Sequence, residues 1–346
     1  MSNIAYCAYE SKNEINIPVA LLTAEEARTF VNQCIITIRS SLKRRCELIT
    51  ILEGGKLDKD QKVEYDEALE REIEFMTGIV DSIGYTLKSM KEVFVPIFDA
   101  LLLPFFGPLL KSSGNLDSKA RFAAICLFDD CVEHCGPSAA AKYSPILADA
   151  ISEGINDEDI QVREASVYGI AQIARKFPNS LSNYADSFVQ QSAAVAKEAI
   201  NVPKDDIANI RLVENSASAL ATMTLFPNSP FQQNSVPRAD IVKIFLSNLP
   251  LEQDFDEAKI CHEGLCALVE SGEVDLSANA DRLMQIIGEI ASAVNDGDEM
   301  ATHETCGRFA GILTQMQTRV DQNLIQQAYS KISDEARNGV NLLMGS

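Results

Sequence analysis

The stretch 156–176, NDEDIQVREASVYGIAQIARK, restricts what this chain can fold into more than any other. An acidic turn at 156–159 leads into Val162-Arg163, then into small and apolar residues at Ala165, Ser166, Gly169, Ile170 and Ile173. Carboxylates favour a helix's first turn because they meet the positive end of its dipole. The apolar positions run almost all the way round. Only Gln161, Glu164, Tyr168, Gln172 and Arg175, three and four residues apart, form a polar stripe. A helix apolar on most sides has to be sandwiched between other helices, with one narrow face left wet.

The pattern recurs. Leu- and Pro-rich helices are predicted at 92–112, 138–155, 181–200, 238–249 and 276–295, each followed by a partner at 117–135, 158–177, 203–226, 254–271 and 298–318. The partners start 41, 45, 51 and 44 residues apart, near the 40–47 residues of HEAT and armadillo units. Asp117, Asp157, Asp205, Asp206, Asp254, Asp256, Asp298 and Glu299 sit at or before the first turns of the partners. Pro137, Pro178, Pro203, Pro227, Pro230, Pro237 and Pro250 fall in or beside connections, where proline ends a helix without cost. No stretch alternates with period two. The expected fold is an all-α superhelix, a solenoid of HEAT-type helical hairpins.

Ahead of these pairs, Thr23 can cap a helix over 24–53 that Gly54-Gly55 stops. An acidic insert near 54–66 then leads into a helix running to about Met90. The expected organisation is a partial repeat or truncated start at 1–22, about six hairpins over 23–318 and capping helices over 319–346. Residues 1–22 read as half a unit, so the chain is expected to begin mid-array or to be a fragment of a longer protein.

The totals exclude several classes. With 46% apolar residues and a mean hydropathy near zero, the chain can bury a large core. No apolar run reaches a membrane span of ~18 residues; 93–110 comes closest, interrupted by Pro96, Asp99, Pro104 and Pro108. Membrane insertion is not expected. The N-terminus lacks the basic flank and apolar core of a signal peptide, and nine scattered cysteines suggest free thiols in a reducing compartment. Net charge is −20, of which residues 114–346, with 17 basic and 33 acidic side chains, carry −16. Such a surface repels phosphate backbones and attracts basic proteins, so nucleic acid is not an expected ligand.

Constellations that imitate active sites carry little. Cys126, Cys131, His134 and Cys135 lie on one helix, whereas a zinc site gathers four ligands from turns or separate elements. Asp129, Asp130 and Glu133 could imitate an acid–base pair, but no cleft is legible around them. His262 and His303 have no nucleophile at readable spacing, and Gly54-Gly55 has no lysine-serine follow-up. Neither a catalytic centre, a metal nor a cofactor is expected. The polar stripes of the second helices are a collective candidate for binding a basic, extended segment: Asp129 and Glu133; Gln161, Glu164, Tyr168 and Gln172; Arg211, Glu214, Asn215 and Ser218; Lys259, Glu263 and Glu270.

Four stretches go beyond a general helical repeat: CLFDDCVEHCGPSA at 126–139, VREASVYGIAQIA at 162–174, PKDDIANIRLVENSASAL at 203–220 and SNLPLEQDFDEAK at 247–259. In order and spacing they resemble the C-terminal part of importin-β-3 type karyopherins, nuclear transport receptors of the importin-5 and Kap121 kind. The resemblance runs from about residue 20 to the end. It implies a non-enzymatic receptor that shuttles between cytoplasm and nucleus, carrying cargo proteins with basic segments and binding phenylalanine-glycine repeats of nucleoporins. It also implies contact with the GTPase Ran mainly through N-terminal repeats absent here. The chain departs from the family in having no tryptophan. A static scaffold, such as the HEAT subunit of a phosphatase, is the alternative. A HEAT-like DNA-repair enzyme would need a basic groove with aromatic wedges, which the charge and lack of tryptophan oppose.

Overall fold

A computed structural model describes residues 22–55, 57–111 and 118–345, all helix and connection with no strand among them. Thr23 and Glu26 cap one another's backbone at the start of α1 (Ala24–Glu53), and Asp58 and Gln61 do the same for α2 (Lys59–Met90). α2 starts inside the expected acidic insert, and residues 59–66 are its first two turns. Their charge pattern suits an exposed helix as well as a loop, and the Asp58 capping box decides for helix.

Residues 91–111 form a third, irregular helix, α3. Its turns pass from 3-10 through a π turn at Phe98–Leu102 back to 3-10. Pro96, Pro104 and Pro108 cannot donate to the carbonyls behind them, so the ladder slips register rather than stopping. The prolines therefore interrupt composition but not helix. By length and composition alone, a window within Lys59–Lys111 is apolar enough to cross a membrane, a test that the core helices of compact proteins also pass, and the backbone breaks at Lys91 inside this run. Phe94, Ile97, Phe98, Leu102, Phe106 and Leu110 line one buried stripe of α3.

The hairpins continue as α4 (Ser118–His134), α5 (Gly136–Gly154), α6 (Ile160–Lys176), α7 (Ala185–Ala196), α8 (Ile207–Thr224), α9 (Arg238–Asn248), α10 (Phe255–Glu270), α11 (Ala280–Asp296) and α12 (His303–Arg319). Two shorter helices follow, α13 (Gln322–Lys331) and α14 (Asp334–Met344). The second helices start 42, 47, 48 and 48 residues apart. Asp159, Asp206, Asp254 and Thr302 cap α6, α8, α10 and α12 through their side chains, each such cap being worth ~1 kcal/mol. The expected partial repeat at 1–22 and the candidate start at Asp117 lie outside the described residues, apart from Leu22.

The chain divides into two compact units at Asn183/Tyr184. In the first, α2, α4 and α6 pack side by side. Phe98, Phe128 and Tyr143 make its aromatic centre, with ring centroids 4.8–6.0 Å apart. In the second, α10 contacts both α8 and α12, while α14 lies on α11. There Gly288 and Gly339 bring two backbones together, and a methyl on either would overlap the other helix's main chain.

Candidate functional site

The predicted stripes lie on the second helices, but tertiary packing divides them into three kinds of residue. Asp129, Gln172, Glu214, Asn215 and Ser218 are buried, at 8% exposure or less. They cannot meet a partner's surface, and the expectation for them is corrected. Helical period locates the face between neighbours; it does not say how closely the next hairpin closes over it.

Asp129 is the extreme case. Both carboxyl oxygens are buried without a hydrogen-bond partner, where α4 packs over Gly169 of α6. Burial, then the carboxylates of Asp130 and Glu133, push its pKa well above the usual carboxylate range. In the second unit, Ser218 Oγ donates to Glu257, while Glu214 accepts backbone N–H groups from Glu252 and Gln253. Burial raises Glu214 to about 7 despite those bonds.

A second group is reachable but internally engaged. Tyr168 Oη donates to Glu133 at 2.8 Å, joining α6 to α4. The nearby His134 Nε2 is 3.5 Å from the same carboxylate. Burial lowers His134 to about 4, so at neutral pH this is no ion pair. Lys119 bridges Gln161 at 2.8 Å and Asp159 at 2.7 Å, and Arg121 meets Asp157 at 2.6 Å. Lys259 reaches Glu299 at 3.0 Å. Arg308 grips Glu270 through two nitrogens and lies 3.7 Å from Glu263. Glu164 is half-exposed, and Arg211, of the third kind, is exposed.

One rule covers most of these contacts. A residue on one second helix meets a residue 35–42 positions away, on or just before the next. Polar residues at matching repeat positions thus pair between repeats before they are offered to a ligand. Arg308, Lys119, Arg121 and His262 are the residues that the stripe reading missed. The repeat spacing was the signal: Asp157 and Asp159 follow Arg121 and Lys119 by about one unit.

Among the described residues the cysteines form no disulfide, and Cys34, Cys131, Cys135, Cys261 and Cys266 are buried. Burial first raises Cys34 to about 11 and Cys266 to about 12, which suits core thiols rather than thiolate ligands. Among the described residues, no group of three His, Cys, Asp or Glu is arranged to hold a metal ion.

No protein-family model matches the chain. Among solved structures, it is similar to a crystal structure of a Kap121p mutant, with a TM-score of 0.57 and 13% identity. The match covers 92% of this chain and 30% of that one. At this identity the likeness concerns the fold: helical hairpins of the HEAT-repeat kind found in that karyopherin.

Proposed function

We propose that the chain is the C-terminal portion of an importin-β family nuclear transport receptor. It binds cargo proteins with basic segments and phenylalanine-glycine nucleoporins, without catalysing a reaction. The observation that carries this reading is the fold likeness to Kap121p across 92% of the chain. The four sequence stretches that resemble importin-β-3 type receptors support it independently. On this reading the receptor shuttles between cytoplasm and nucleus, and Ran contacts depend mainly on repeats outside this chain.

The partner-facing set is smaller than the stripes. In the first unit it comprises Glu133, Gln161, Glu164 and Tyr168; in the second, Arg211, Lys259, Glu263 and Glu270. Their intramolecular bonds hold the carboxylates in place, so a lysine from cargo competes for some rungs and adds to others. Each such contact is modest, ~0–1 kcal/mol when exposed, and affinity comes from several acting together.

The test is affinity capture from cell extract with the immobilised chain, followed by identification of the retained proteins. Nucleoporins bearing phenylalanine-glycine repeats are expected. Their absence together with retention of a phosphatase catalytic subunit would replace this reading with the scaffold one. Ran loaded with a GTP analogue is expected to bind weakly, and submicromolar affinity would contradict the assignment of Ran binding to other repeats.

A further inference from the structure

The connection between α9 and α10 is buried at Leu249 and Leu251, so its backbone groups need partners inside the protein. Three consecutive N–H groups find them on titratable side chains. Leu251 N–H donates to His262 Nε2 at 3.2 Å. Glu252 N–H is shared between both oxygens of Glu214 at 3.1 Å, and Gln253 N–H donates to Glu214 Oε2 at 2.9 Å. On the carbonyl side, Arg282 of α11 donates to Leu246, Ser247 and Leu249. His262 Nδ1 donates to the Met300 carbonyl at 2.9 Å, so Nε2 is the unprotonated acceptor. A buried backbone turn is thus held by a carboxyl from α8 and an imidazole from α10.

We propose that this turn is a proton-operated clasp, in which a proton on Glu214 keeps the chain entering α10 closed against α8 and its loss loosens that joint. The burial of Glu214 sets the direction, and its charged surroundings add to it. From the turn, Glu252 and Asp254 raise the cost of a charge on Glu214; α10 brings the carboxylate of Glu257 and the neutral His262 to the same joint. Arg211, one turn earlier on α8, is exposed. A proton on Oε1 gives up that oxygen's share of the Glu252 N–H, but Oε2 still accepts from Glu252 and Gln253, so protonation removes the charge and leaves both amides held.

Burial dominates and places Glu214 at about 7, against an ordinary value of 4.5. A carboxyl whose folded value is raised stabilises the closed form fully below the unfolded value, and that contribution is lost as pH rises through about 7. The joint therefore tightens on mild acidification, the reverse of the usual salt-bridged carboxylate. His262, which burial lowers to about 4, stays an acceptor throughout this range. The clasp does not depend on the transport reading; under that reading it controls the start of α10, one turn before Lys259.

The experiment is an amide NMR titration of the whole chain between about pH 5 and pH 9. In the wild type, the Glu252 and Gln253 amide signals should shift together with a midpoint near 7. In Glu214→Gln they should be flat across that range, and the fall in thermal stability on raising pH should be smaller. Glu252→Gln, at an exposed side chain, keeps the test open if the first variant fails to fold. It should lower the wild-type midpoint, because it removes a neighbouring negative charge. Flat wild-type signals, an unchanged titration in Glu214→Gln or an unmoved midpoint in Glu252→Gln would each overturn the clasp.

Discussion

Single residues in this chain are governed by what covers them. Asp129 is a carboxyl with neither bond nor solvent, and its folded pKa is raised by burial and by Asp130 and Glu133. Its contribution to stability is therefore present below the ordinary carboxylate range and lost as pH rises through the folded value. Asp129→Asn removes the ionisation, and thermal unfolding followed against pH should show a smaller loss of stability towards alkaline pH than in the wild type. Parallel curves would mean that the carboxyl is solvated in solution. The thiols follow the same principle: a maleimide at neutral pH should label half-buried Cys46 and Cys306 well before Cys34, Cys261 and Cys266. Mass spectrometry resolves the order, and fast labelling of the buried set would contradict the packing.

At the scale of elements, the close approach of α11 and α14 in the second unit rests on glycine. A methyl at Gly288 would meet the Ala336 backbone of α14, which cannot move aside as a side chain does. Gly288→Ala is expected to cost at least ~1–3 kcal/mol, the range for overpacking. Gly311 is exposed on α12 with nothing near its missing methyl. There the same substitution should stabilise by up to ~1 kcal/mol through helix propensity. Denaturant unfolding of the pair separates close approach from propensity, since only the first can be destabilising. Neither glycine is distinguishable from the other by sequence, because both stand within helical stretches and only the neighbour differs.

For the whole molecule, the question is whether its acidity is diffuse or focused. Glu164→Lys with Glu263→Lys should weaken a lysine-rich peptide by up to about tenfold, ~1.4 kcal/mol, more than Glu25→Lys with Glu64→Lys. The net charge change is the same in both pairs. Fluorescence anisotropy at two salt concentrations measures it, after circular dichroism confirms helix content. Equal weakening by both pairs would leave only long-range attraction, which salt screens. Glu214 is unsuitable for this comparison because the fold buries it.

By itself the sequence determined the helices, their order and their recurrence. Those rest on local physics: a 3.6-residue period, side-chain caps and prolines at connections. The helix predicted at 92–112 is present as α3, but its passage through 3-10 and π turns was not legible, because proline spacing along a segment does not say which register the backbone takes. The sequence also marked the faces carrying the polar stripes, since period alone sets which side chains share a face. Tertiary structure decided what those side chains do. Whether Glu214 meets solvent or the backbone of Glu252, and whether Glu270 awaits a partner or holds Arg308, depends on chain about one repeat away. Burial and pairing are properties of two segments brought together, and a periodicity read along one segment contains no information about the distance to the other.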